Sequence, residues 1–173
     1  MGSRIVSFEL CGREVEVLVS PMATLQSVLR SQLGYTGTKE GCRQGGCGSC
    51  TVLVDGEPMM SCLLPFEDVE GRRVTTIEGI APVAGLAPIQ QAFIEKNAFQ
   101  CGYCTPGMVV LTKTLLDHHP SPSRDEIIDA LGGNVCRCTG YAPIIEAIEA
   151  AAAGATTDAG RDAGDWPDPS GER

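Results

Sequence analysis

Cys42-Arg43-Gln44-Gly45-Gly46-Cys47-Gly48-Ser49-Cys50, completed by Cys62, spaces four cysteines as C-x4-C-x2-C-x11-C. The first three have the plant-type spacing in which four thiolates hold a [2Fe-2S] cluster. Gly41, Gly45, Gly46 and Gly48 interleave with the cysteines, so the backbone is free to adopt positive φ angles and turn its N–H groups toward the sulfurs. Such hydrogen bonds stabilise the extra negative charge of a reduced cluster and raise its potential. A second set, Cys101, Cys104, Cys136 and Cys138, reads C-x2-C-x31-C-x-C, a different arrangement. Eight of the nine cysteines in this 173-residue chain thus form two four-thiolate sets, and an electron conduit is the leading reading.

Two other uses of cysteine compete. A disulfide framework suits exported chains with an even count, whereas this chain has nine cysteines and no recognisable export signal. Zinc is the stronger competitor, because Cys101-Gly102-Tyr103-Cys104 is an ordinary half of a four-cysteine zinc site. Zinc sites usually pair two such halves, and here the other segments are a glycine-rich loop and Cys136-Arg137-Cys138.

Composition limits the remaining classes. At 43% hydrophobic and 20% charged residues the chain has enough apolar material for one or two small cores. A formal charge of −9 with no Lys/Arg cluster argues against nucleic acid and anionic membrane as partners. No stretch approaches the ~20 apolar residues that span a bilayer, and the expected location is cytoplasmic.

Along residues 1–80 the pattern is β-rich with one helix. Ile5 to Leu10 and Val15, Val17, Val19 flank a turn at Cys11-Gly12-Arg13. Thr24 is a candidate N-cap for a helix carrying Leu25, Val28, Leu29 and Leu33, stopped by Gly34. Thr51 to Val54 and Glu57 to Cys62 flank Asp55-Gly56, a two-residue hairpin signal, and Arg73 to Ile77 offers another strand. Pro82, Gly85 and Pro88 mark a connector, beyond which residues 81–153 read as four helices. These carry Ile89, Ala92 and Phe93; Met108 to Leu115 after Pro106; a segment opened by the capping-box pattern at Ser123; and Ile144 to Ile148 after Pro143. The second cysteine set falls at the ends of these helices. Residues 154–173, with five acids, two arginines and Trp166, read as a flexible acidic tail. His118-His119 sits at a helix end and reads as surface.

The runs Thr36 to Cys42, Gly46 to Thr51, Gln100 to Gly107 and Cys136 to Tyr141 resemble the small iron-sulfur subunit of the xanthine oxidase family of molybdenum hydroxylases. The likeness covers about residues 4 to 150. It implies an α+β chain: a β-grasp, plant-type ferredoxin-like domain, then a four-helix bundle carrying a second [2Fe-2S] cluster. It assigns Cys42, Cys47, Cys50 and Cys62 to an outer cluster facing a flavin, and Cys101, Cys104, Cys136 and Cys138 to an inner cluster beside molybdopterin. Gln100 and Cys138 would contact the pterin, although a helix-end hydrogen bond is the plainer role for Gln100.

The resemblance further implies a large molybdopterin-binding subunit, with the cofactor expected in its cytosine dinucleotide form. A medium FAD-binding subunit and a heterotrimer or dimer of heterotrimers complete the implied complex. Substrate chemistry would lie on the molybdenum subunit, making this chain an oxidoreductase component that passes electrons through both clusters to FAD. The alternative is a free-standing two-cluster ferredoxin. Two positions depart from the family pattern: Ser49 stands where alanine is common, and Cys11 where asparagine is usual. Phe93, Phe99, Met108 and Tyr141, close to the second cysteine set in sequence, are offered as a protein interface or as core.

Overall fold

The first hairpin forms where its turn chemistry allows. In this computed structural model, which describes residues 2–82 and 84–155, β1 (Arg4–Leu10) and β2 (Arg13–Val19) pair antiparallel around Cys11-Gly12. Both turn residues are left-handed, with φ of 49° and 79°. A two-residue turn of this hand matches the twist of the flanking strands. The same device joins β3 (Thr51–Val54) to β4 (Glu57–Met60) through Asp55-Gly56, at φ 54° and 94°. The short β5 (Arg73–Thr75) then lies between the hairpins, parallel to β1 and antiparallel to β3. The result is a five-stranded sheet in the order β2-β1-β5-β3-β4.

Two strands end earlier than their hydrophobic runs suggest. After Met60 the chain turns so that the Ser61 carbonyl accepts the Gln26 N–H, leaving Cys62 beyond the strand. After Thr75 it turns through a 3-10 segment, Ile77–Gly79, and Ile77 and Ile80 pack on the helical half instead. Helix α1 (Leu25–Ser31) starts at Thr24, whose hydroxyl accepts the Ser27 N–H at 3.2 Å. It covers the sheet with Leu25, Val28 and Leu29, all fully buried. Phe8 and Phe66 meet edge to face at 5.3 Å in this core, and each such burial contributes roughly 1.5–3 kcal/mol.

The second half comprises α2 (Pro88–Glu95), α3 (Thr105–His118), α4 (Arg124–Ala130) and α5 (Ala142–Ala155). Ser123 and Glu126 form the expected capping box. Helix α5 packs on α2 and α4, and α3 on α2 and α4. They enclose a core of Ile89, Phe93, Met108, Ile127, Ile144 and Ile148. Phe93 and Met108 are therefore core residues, whereas Phe99 is 40% exposed. Helix α5 includes Gly154 and Ala155, so helix replaces the start of the expected tail; its remainder, with Trp166, lies outside the described residues. Among the described residues no helix is long and apolar enough to cross a membrane.

Candidate metal centres

The first cysteine set is held from behind by α1. Gln26, 3% exposed, donates to the Lys39 carbonyl at 2.8 Å, and Arg30 donates to the carbonyls of Thr36 and Thr38 at 2.9 and 2.7 Å. These polar anchors escape a reading of α1 that follows its apolar face. Within the loop Arg43, Gly45 and Gly48 are left-handed, so one of the expected positive φ angles falls on an arginine. The N–H groups of Gln44 and Gly46 donate to Cys42 Sγ at 3.5 and 3.2 Å. They bring the Cys42 thiol down to about 7. Burial instead pushes Cys50 up to about 11. Ser61, fully buried, donates its hydroxyl to the Cys50 carbonyl at 2.7 Å and fixes the chain just before Cys62.

The second set is assembled from two segments. Cys104 is the N-cap of α3, and burial pushes its thiol up to about 12. Cys136 follows the 3-10 turn after α4. Burial is the largest influence on its thiol and acts upward, but contacts led by the Thr139 hydroxyl outweigh it and leave the pKa lowered. The Tyr141 hydroxyl accepts the Cys136 N–H at 2.9 Å and donates to the Asn134 carbonyl at 3.1 Å, clamping the loop that carries Cys136. Tyr141 itself has φ 68°. Gln100 is exposed beside Cys101, and its side chain makes no hydrogen bond among the described residues. Cys11 joins neither set; its sulfur lies 3.5 Å from Thr76 Oγ1. His119 pairs with Glu126 at 3.7 Å on the surface.

The two sets are locked together. Val135 N–H donates to the Cys47 carbonyl at 3.0 Å, joining a residue of one set to the neighbour of Cys136 in the other. Asn134 donates to the Gly48 carbonyl at 3.4 Å, and the Tyr103 hydroxyl donates to the Glu40 carbonyl at 2.6 Å. Gly107 is obligatory here, because a Cβ on it would lie 2.3 Å from the Gly48 carbonyl oxygen. None of these cross-contacts has a sequence pattern of its own.

The Cys101 and Cys138 sulfurs lie 3.6 Å apart, and the thiols of Cys42, Cys50 and Cys104 are most strongly influenced, among the cysteine side chains, by those of Cys47, Cys62 and Cys136. Two thiolates per iron is the requirement of a two-iron cluster, whereas zinc draws four sulfurs to one centre at about 2.3 Å each. Among the described residues no three Cys, His, Asp or Glu side chains converge on a single-ion site. The donor chemistry and its pairing fit [2Fe-2S]. In each set one pair faces outward: Cys101 and Cys138 are exposed, Cys42 and Cys47 half-buried.

Residues 8–76 match the family described as a 2Fe-2S iron-sulfur cluster binding domain, and residues 76–149 match a [2Fe-2S] binding domain. The nicotinate dehydrogenase small FeS subunit of Eubacterium barkeri is 40% identical over 148 residues, which are 86% of this chain and 94% of that protein. Aldehyde oxidase 2 of Mus musculus is 44% identical over 82% of this chain, but the match spans only 11% of that longer protein. Among solved structures, quinoline 2-oxidoreductase from Pseudomonas putida 86 superposes with a TM-score of 0.87 at 42% identity, covering 91% of this chain and 98% of that one. With both halves matched and a small FeS subunit of a dehydrogenase covered nearly end to end, the chain belongs to the [2Fe-2S] iron-sulfur subunits of the xanthine oxidase family of molybdenum hydroxylases.

Proposed function

We propose that this chain carries electrons within a molybdenum hydroxylase, from molybdopterin on a large companion subunit to FAD on a medium one. Cys42, Cys47, Cys50 and Cys62 hold the outer [2Fe-2S] cluster, and Cys101, Cys104, Cys136 and Cys138 the inner. A bound cluster supplies one-electron storage at each site. The observation that carries this reading is the backbone hydrogen bond from Val135 to Cys47, which ties one ligand set to the residue next to Cys136 in the other. The exposed Cys101 and Cys138, with Gln100 beside them, offer one end to the pterin. The half-buried Cys42 and Cys47 offer the other end to the flavin.

We divide the chain into a β-grasp domain over residues 1–80 and a four-helix bundle over residues 81–153; an apolar core in each half supports this, although Ile77 and Ile80 pack on the helical one. Similar proteins are named for nicotinate and quinoline oxidation, so a nitrogen heterocycle is the substrate class we favour, with an aldehyde second. We assign the molybdopterin its cytosine dinucleotide form, the complex a heterotrimer or its dimer, and the location the cytoplasm. The free-standing ferredoxin reading leaves the second cysteine set without a task.

Metal analysis and rapid kinetics of the purified complex test the proposal. Four irons per chain and two paramagnetic signals on partial reduction are expected. In the Cys47→Ser complex, substrate should still reduce the inner centre while flavin reduction slows. Zinc in place of iron, or flavin reduced at the normal rate in that variant, refutes the reading.

A further inference from the structure

Ser49 lies inside the first cysteine loop, between Gly48 and Cys50, and is only 6% exposed. Its main chain is engaged, the carbonyl accepting the Lys39 N–H at 3.1 Å. Its hydroxyl has no hydrogen-bond partner among the described residues, although the other serine of this region, Ser61, is fully bonded. Among the described residues the fully buried hydroxyls without a partner are those of Thr38 and Thr105, not Ser49, so the Ser49 hydroxyl is not forced to pair but is open to an acceptor that the protein itself does not provide.

The surroundings supply one. A side chain on Gly41 would occupy a point 2.7 Å from Cys47 Sγ and 3.6 Å from Ser49 Oγ. The absence of that side chain leaves the hydroxyl and the ligand sulfur facing a common space. We propose that the Ser49 hydroxyl donates a hydrogen bond to a sulfur of the outer cluster, a ligand thiolate or a bridging sulfide, and so raises that cluster's reduction potential. The inference rests on the iron-sulfur reading above. A donor at sulfur favours the reduced, more negative state. Raising the potential of the outer centre alone makes passage from the inner centre more favourable, so Ser49 tunes the direction of the relay without ligating iron.

Redox titration of the complete complex, followed by the two paramagnetic signals, tests this. The signal missing from Cys47→Ser identifies the outer cluster. Ser49→Ala should lower the equilibrium constant for reducing that cluster about tenfold, a shift of about 59 mV for one electron. The inner midpoint should stay in place, and Ser49→Thr, which keeps the hydroxyl, should restore the wild-type value. Unchanged midpoints in Ser49→Ala, or a shift confined to the inner cluster, overturn the proposal. Loss of iron from Ser49→Ala also counts against it, because a donor that only tunes the potential is not needed for ligation. Two intact clusters with an insensitive Ser49 would sink this inference alone; zinc, or two irons per chain, would sink the functional reading beneath it.

Discussion

The two thiol sets are built by opposite means. All four cysteines of the first lie within residues 42–62, on one glycine-rich loop and the turn just beyond the hairpin that follows it, and its sulfur donors include the neighbouring N–H groups of Gln44 and Gly46. The second exists only when α2, α3, α4 and α5 are packed, because Cys104 and Cys136 come together from opposite ends of α3 and α4. The cysteines of one site are gathered by local sequence, with α1 bracing their loop through Gln26 and Arg30, and those of the other only by tertiary structure. Their tolerance of damage should differ accordingly.

The largest effect tests that dependence. Cys136→Ser should remove one cluster and leave two irons per chain, with the outer cluster's spectrum intact because its loop is held by α1 and its own turns rather than by α2 to α5. Iron and sulfide analysis with electron paramagnetic resonance reads both. If Cys136→Ser also empties the outer site, the first loop is not self-sufficient and the contrast fails.

Next is the junction between the sets. Gly107→Ala places a methyl 2.3 Å from the Gly48 carbonyl, at a contact of backbone on backbone that neither side relieves by a rotamer change. A cost of about 1–3 kcal/mol is expected for such overpacking, lowering Tm by about 2–4 °C per kcal/mol in a chain of this size. Both clusters should remain, but the magnetic coupling between them should weaken as α3 moves from the loop. A normal Tm with normal coupling would show that the junction is loose.

Tyr141→Phe acts on the second set alone. It removes the acceptor of the Cys136 N–H and the donor to the Asn134 carbonyl, leaving groups that each cost about 1–3 kcal/mol when buried unpaired. The inner cluster should lose iron to a chelator faster than in wild type, while the outer cluster's rate stays unchanged. Equal rates at both would mean that the clamp does not hold the ligand loop.

The same contrast explains what the sequence discloses. The hairpin turns at Cys11-Gly12 and Asp55-Gly56, the Thr24 cap and the Ser123 box are short-range devices, and the structure contains each at its expected position. Both cysteine sets are equally legible as spacings. What reaches across the chain is not: the parallel pairing of Leu10 with Val74, the turn at Ser61 that holds Cys62, and the contacts of Asn134 and Gly107 with Gly48. Hydrophobic runs also overstate strands. Ile77 reads as the end of β5, yet its apolar side chain serves the helical core after the backbone has turned. Burial of Phe93 and Met108, as against exposure of Phe99, likewise follows from helix packing that residue type does not encode.

The smallest effect compares one carboxylate in each half. Asp55 accepts the Arg73 N–H at 2.8 Å and the Arg72 guanidinium at 2.7 Å, tying the β3–β4 turn to β5. The Arg73 N–H, then Arg72, hold its carboxyl below the ordinary aspartate value. Glu126 is held low by the Ser123 hydroxyl, then the Ser123 N–H, at the start of α4. For a carboxyl with a depressed folded pKa, the linked stability is complete above the unfolded value of about 3.9 or 4.3 and is lost as pH falls through the folded one. Asp55→Asn and Glu126→Gln should therefore each lower Tm modestly at pH 7 and converge on wild type in acid. Both groups are exposed, so added salt should shrink both effects. The local contrast predicts that Asp55→Asn, which loosens the hairpin leading to Cys62, speeds iron loss from the outer cluster alone, whereas Glu126→Gln touches only the inner. Thermal scans between pH 3 and 8, paired with chelator kinetics, separate the two. Should either substitution speed iron loss at both clusters equally, the junction through Cys47 and Val135 transmits strain as well as electrons, and the two sites behave as one.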